Sequence, residues 1–244
     1  MNDARSRLIV ALDLPGRAEA LDAVGKLSGR VGCFKLGLEI FIREGPGLVE
    51  EVLGRGQRVF LDLKLHDIPN TVAGAIKSAG RLGVHMLTLH ASGGRRMLEA
   101  ARDAAASLPA PPMLLAVTAL TSLSEEETRS IGITEAVATW VERLAGIACD
   151  AGLTGLVASP LEVARLRRQY GDRLKIVTPG IRAAGAEAQD QSRTAEPGQA
   201  ILAGADYLVV GRPILRASDP GAAADLIVGQ IEDALRTRQR SGSD

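Results

Sequence analysis

The chain alternates between short apolar runs and longer segments in which apolar residues recur at helical spacing. The runs are Leu8–Leu14, Gly32–Leu38, Arg58–Leu65, Met86–Ser92, Met113–Leu120, Gly155–Pro160, Lys175–Ile181 and Tyr207–Pro213, each of strand length. Between them, Arg17–Leu27, Asn70–Leu82, Gly94–Ser107, Glu135–Ala151, Pro160–Tyr170 and Asp219–Leu235 read as amphipathic helices. Strands that alternate with helices pair in parallel through helical crossovers. An open doubly wound sheet and a closed barrel both fit that alternation. Eight units in 244 residues favour the closed α/β form, the (β/α)8 TIM barrel, which typically runs to about 250 residues. No linker or low-complexity stretch divides the chain. Residues 1–244 are therefore expected to form a single catalytic barrel domain, with the polar tail from Arg236 to Asp244 fraying.

Two spacings are wider than the rest, Thr121–Thr134 after strand five and Ala183–Pro197 after strand seven. Loops in those places lie at the C-terminal ends of the strands, where barrels build their active sites. Extra length there points to function, with a solvated insertion as the alternative.

Composition narrows the field. Apolar residues make up 46% of the chain and charged residues 24%, enough for a sizeable core, and with three Phe, two Tyr and one Trp that core must be aliphatic. Lys+Arg and Asp+Glu balance at 29 each, and no aromatic residues are interleaved with basic ones, which argues against nucleic acid or an anionic membrane as a partner. The apolar run Leu8–Leu12 is stopped by Asp13, too soon for a signal peptide, and no stretch approaches the ~18 apolar residues of a spanning helix. A cytoplasmic location is expected. Cys33 and Cys149 read as buried reduced thiols, and no Cys or His pair has metal-ligand spacing. The motifs of serine hydrolases, zinc proteases, P-loop proteins and dinucleotide-binding enzymes are absent.

The third run, RVFLDLKL, carries the chemistry. Side chains alternate across a strand, so Asp62 and Lys64 share one face and Leu61, Leu63 and Leu65 the other. A barrel strand is covered by helices outside, so the leucines should meet those helices and Asp62 and Lys64 should line the inner wall near the mouth. Asp13 ends the first run and Lys35 interrupts the second, so three neighbouring strands bring alternating charges to one place, with Asp67 close behind. A structural ion-pair network is the alternative reading. Each charge would hold its neighbours ionised, leaving Lys64 in D-x-K-x-x-D a candidate proton donor. Asp67 and Asn70 also fit the helix-start signal around Pro69.

A second constellation lies near the end of the chain. TPGIR and VGRP set Gly180 with Arg182, and Gly211 with Arg212, after strands seven and eight, where barrels commonly bind phosphate. Gln191, in the long loop between them, could close over the anion. Thr118 and Thr121 follow strand five and could reach a substrate carbonyl or satisfy loop backbone. His90 is given no role, and His66 and His85 read as structural.

DLKLHDIPNT, with Asp13 and Lys35 upstream and TPGIR, DQ and VGRP downstream, resembles the bacterial type of orotidine 5′-phosphate decarboxylase over essentially the whole chain. The resemblance implies loss of CO2 from orotidine 5′-phosphate to give UMP, the last step of pyrimidine nucleotide synthesis, without metal or organic cofactor. It implies that Lys35, Asp62, Lys64 and Asp67 form the charged array, with Lys64 protonating C6 and Asp62 against the substrate carboxylate. Asp13 and Lys35 would hold the ribose hydroxyls, Thr121 the pyrimidine, and Gln191, Gly211, Arg212 and Arg182 the phosphate. Asp67 and Thr71 would reach the neighbouring subunit's site, which implies a homodimer with shared active sites. One departure is Gln189, where related sequences often carry Gly before the Asp-Gln pair. Two rivals stay open: an Mg2+-dependent keto-sugar-phosphate decarboxylase of the same barrel superfamily, and a non-catalytic phosphate-binding barrel. Relatives of the first kind carry a carboxylate on strand two, so Lys35 weighs against it.

Overall fold

The computed structural model describes residues 3–182 and 194–241. Its strands are β1 (Leu8–Ala11), β2 (Cys33–Gly37), β3 (Val59–Leu65), β4 (Met86–His90), β5 (Met113–Val117), β6 (Gly155–Val157), β7 (Lys175–Thr178) and β8 (Tyr207–Val210). They close in chain order into a parallel barrel, β8 pairing with β1. The helices are α1 (Arg17–Leu27), α2 (Leu38–Glu44), α3 (Pro46–Gly54), α4 (Pro69–Arg81), α5 (Arg95–Ala106), α6 (Glu125–Ser130), α7 (Val137–Asp150), α8 (Pro160–Tyr170), α9 (Pro197–Ala203), α10 (Arg212–Leu215) and α11 (Pro220–Ser241).

The period-two alternation of each strand sorts the core into two bodies. One fills the barrel: Ile9, Ala11, Cys33, Phe60, Met86, Leu115, Val177 and Val209. The other lies between strands and helices and includes Leu8, Val10, Leu36, Leu61, Leu87 and Leu208, with Leu63 and Leu65 packed against it. Two residues beyond an inward apolar side chain, the same strand face becomes polar at the mouth: Lys35 follows Cys33, Asp62 follows Phe60, and Thr88 follows Met86. The apolar plug thus forms the floor under the charged rim.

Several elements depart from the sequence reading. Residues between β2 and β3 form two helices, α2 and α3, broken at Gly45 by its φ of 65° and by Pro46. The long segment after β5 contains α6, started by a capping box in which the Ser124 side chain accepts from the Glu127 amide and Glu127 accepts from the Ser124 amide. The fraying expected from Arg236 to Asp244 is corrected as far as Ser241, to which α11 continues, and residues 242–244 lie outside the described residues. Arg236 pairs with Glu232 one turn back, and Arg238 donates to the Ile201 carbonyl, tying the last turns to α9. Neither Asp67 nor Asn70 caps α4, whose N-cap is Ile68 followed by Pro69. Asp67 instead accepts from the Ile68 amide at 2.6 Å.

Candidate active site

A cavity of about 500 Å³ opens at the C-terminal ends of the strands, a size that suits a small-molecule ligand. Asp13, Lys35, Asp62 and Lys64 line it from the ends of β1–β3, and Gly180, Arg182, Gly211 and Arg212 from the ends of β7 and β8. Thr121 lines it from the segment after β5. Thr118 does not: its hydroxyl donates to the Val157 carbonyl at 3.0 Å, so it satisfies backbone.

Asp62 is the centre of the charged side. Lys64 Nζ donates to both of its carboxylate oxygens at 2.9 Å, and Lys35 Nζ lies 3.5 Å from Oδ2. Lys35 also donates to Asp13 at 3.4 Å, so the order along the rim is Asp13, Lys35, Asp62, Lys64. Burial on its own would push the Asp62 carboxyl up. The ammoniums of Lys35 and Lys64, with hydrogen bonds from Lys64 and Thr88, outweigh it and hold the pKa below the ordinary carboxylate value. Unpaired, an ionised carboxylate at this depth would cost several kcal/mol, which the two cations offset.

The expected regular alternation fails at Lys64. The β3–β4 register shifts between Leu61 and Leu65. Lys64 takes φ of 50°, alone among non-glycine residues described, in a left-handed region that costs roughly 1–2 kcal/mol for a residue with a Cβ. Its amide donates to the Thr88 hydroxyl at 2.9 Å, and that hydroxyl donates to Asp62 Oδ1 at 2.9 Å. Thr88 is fully buried and escaped the sequence reading. Its only signal is a hydroxyl two residues beyond Met86 on an otherwise apolar strand.

His90 follows on the same strand, its ring 5.3 Å from that of His66. Burial, reinforced by the neighbouring His66 and Lys64, lowers its pKa against the pull of Asp62 and so favours the neutral ring. Asp67 and Thr71 do not line the central cavity. They line an adjoining groove, with Lys64 on the wall between the two.

Two residues past the end of β7, Gly180 takes a left-handed turn with φ of 79°. The turn is pinned by a bridge in which the Ala195 amide donates to the Gly180 carbonyl at 3.2 Å and the Arg182 amide to the Ala195 carbonyl at 3.0 Å. Arg212 opens the short helix α10 directly after β8. The loops after β7 and β8 followed by a short extra helix are the usual phosphate position of this architecture. Gln191, and Gln189 beside it, lie outside the described residues.

A closed parallel barrel with its ionised residues gathered at the C-terminal strand ends defines the class: a (β/α)8-barrel enzyme. Within that class, the chain belongs to the Orotidine 5′-phosphate decarboxylase / HUMPS family, whose sequence profile matches residues 6–227. A curated orotidine 5′-phosphate decarboxylase from Syntrophotalea carbinolica is 50% identical over 238 residues, 96% of this chain and 98% of its own length. One from Moorella thermoacetica is 50% identical over 235 residues, 94% of this chain and 93% of its own. The crystal structure of orotidine 5′-phosphate decarboxylase from Lactobacillus acidophilus matches with a TM-score of 0.82 at 39% identity, covering 92% of this chain and 98% of that one.

Proposed function

We propose that this chain decarboxylates orotidine 5′-phosphate to UMP and CO2, as the last step of pyrimidine nucleotide synthesis, with its own side chains as the only catalytic groups. The observation that carries the reading is the Lys35–Asp62–Lys64 cluster, with Lys64 Nζ 2.9 Å from both Asp62 oxygens, in one cavity with Arg182 and Arg212. In the reaction the bond between C6 and the carboxylate breaks, CO2 leaves, and the electron pair stays on C6. Lys64 then delivers a proton from Nζ to C6, and solvent reprotonates the amine. No electron sink is conjugated to that pair, so a fixed ammonium beside C6 is the most direct stabilisation available. Arg182, Gly211 and Arg212, with Gln191, grip the phosphate, whose binding energy is realised at the distant reacting carbon. Asp13 and Lys35 hold the ribose hydroxyls and Thr121 the pyrimidine.

The same reading makes the working unit a homodimer in which Asp67 and Thr71 complete the partner's site. Its support is that both residues stand outside their own chain's cavity, in an adjoining groove walled by Lys64. A cytoplasmic location accords with nucleotide supply. Among the described residues no helix is long and apolar enough to cross a membrane.

The metal-dependent alternative requires a ligand on β2. Lys35 stands there between Asp13 and Asp62, and an ammonium has no lone pair to offer a cation. Ultraviolet-monitored turnover of orotidine 5′-phosphate by purified protein, with and without excess EDTA, tests the proposal. Loss of substrate unaffected by EDTA is expected. Activity abolished by EDTA and restored by Mg2+ would overturn it, and folded protein that binds UMP without turnover would leave only a phosphate-binding barrel.

A further inference from the structure

Thr88 belongs to no motif and does not itself line the cavity, yet its hydroxyl joins the two central residues of the charged cluster. It accepts from the backbone amide of Lys64 and donates to the carboxylate of Asp62, both at 2.9 Å. The amide takes up a lone pair of the oxygen, so the hydroxyl proton is left to point at Asp62. The register shift between β3 and β4 removes the regular ladder around Lys64, and the buried Thr88 side chain stands in for the missing acceptor. Lys64 needs such a restraint because its φ of 50° is unfavourable for a lysine.

We propose that Thr88 is a positioning residue, whose hydroxyl fixes the Lys64 backbone and the Asp62 carboxylate relative to one another and acts on the reaction only through them. The inference rests on the decarboxylase reading given above. Without the hydroxyl, the Lys64 amide is left buried and unpaired, and the segment is free to relax towards an ordinary strand conformation. That relaxation moves Nζ away from the reacting carbon and lets the carboxylate rotate.

Thr88→Val keeps the shape and removes the hydroxyl, whereas Thr88→Ser keeps the hydroxyl. Thr88→Val is expected to lower kcat on the order of a hundredfold, as a misplacement of about 1 Å does, with a smaller change in KM. Thr88→Ser is expected to restore kcat to within several-fold. The charged or titratable groups around Asp62 are Lys35 from β2, Lys64 from its own strand and His90 from β4. With those unchanged, loss of the Thr88 donor should raise the Asp62 titration read by carbon-13 NMR in the Val variant and not in the Ser variant. A Val variant with wild-type kcat, or a Ser variant as impaired as the Val one, would overturn the proposal. If Thr88→Val does not fold, the comparison of Thr88→Ala with Thr88→Ser makes the same test. Wild-type protein that fails to decarboxylate would instead sink the functional reading. The Asp62 titration would then decide Thr88 alone, an unmoved value in the hydroxyl-less variant counting against it.

Discussion

At the scale of single residues, the site is a balance between desolvation and alternating charge. Asp62 is buried enough that burial favours its neutral form, and it stays ionised because two ammoniums face it. Lys64 in turn occupies an unfavourable backbone region to reach it. Lys64→Ala should therefore reduce turnover by ~10²–10⁴-fold, the range of a lost general acid, while UMP affinity measured by calorimetry changes little. Unchanged turnover would remove Lys64 as the proton donor. The Asp62 charge also sets a pH dependence of stability. Its folded pKa is lower than that of the unfolded chain, so its contribution is fully present above about pH 4 and is lost as pH falls through the depressed value. Urea unfolding should lose stability with acid in that window, with a flatter slope for Asp62→Asn; equal slopes would contradict the pairing. Asp62, Lys64 and Lys35 were legible because ionisable residues interrupt runs that are otherwise apolar. The left-handed turn at Lys64 was not, since D-L-K-L also fits plain alternation. Thr88 was hidden for a different reason: its two partners lie 24 and 26 residues away, and a lone Thr on a strand has no pattern to join.

At the scale of elements, the barrel divides the work. The floor is apolar and inert, the rim of β1–β3 carries the charges, and the ends of β7 and β8 form the arginine side. Cys33 belongs to the floor, where burial pushes its thiol up to about 12 despite Arg58 nearby. A thiol reagent at pH 8 should leave Cys33 unmodified in the folded protein and label it only as the barrel unfolds; prompt native labelling would contradict its placement. Arg212→Ala tests the arginine-bearing strand ends. Charge-assisted hydrogen bonds are worth about 1.5–3 kcal/mol, so UMP binding should weaken roughly 10- to 100-fold while uridine binding is unchanged. An equal loss for both would mean that Arg212 serves the base or the fold rather than the phosphate. The eight strands could be read from apolar runs, and so could the long helices. Helices α2 and α3 could not, because Gly45 and Pro46 split one segment into two pieces too short to display a period. The six residues of α6 declare themselves only through Ser124 and Glu127. The extension of α11 past Leu235 rests on Glu232–Arg236 pairing and on a contact with α9, the second of which no local pattern contains.

At the scale of the whole molecule, Asp67 and Thr71 stand outside the cavity that Lys64 lines, and the proposed homodimer would bring them to the partner's site. Completion by a second copy makes a specific prediction. Lys64→Ala and Asp67→Ala proteins should each be nearly inactive, but a freely exchanging mixture should recover roughly a quarter of wild-type activity, because each mixed two-fold dimer contains one intact site. Failure to recover activity, or a monomer by light scattering in active protein, would show that each chain works alone. The central claim, that this barrel removes CO2 from orotidine 5′-phosphate and returns a proton to C6 without a metal, has a more direct test. Wild-type protein is incubated with the substrate in D2O containing EDTA, and the product is read by proton NMR. The account predicts UMP carrying deuterium at C6, formed at an undiminished extent. Substrate left intact, or UMP formed only after Mg2+ is restored, would contradict it.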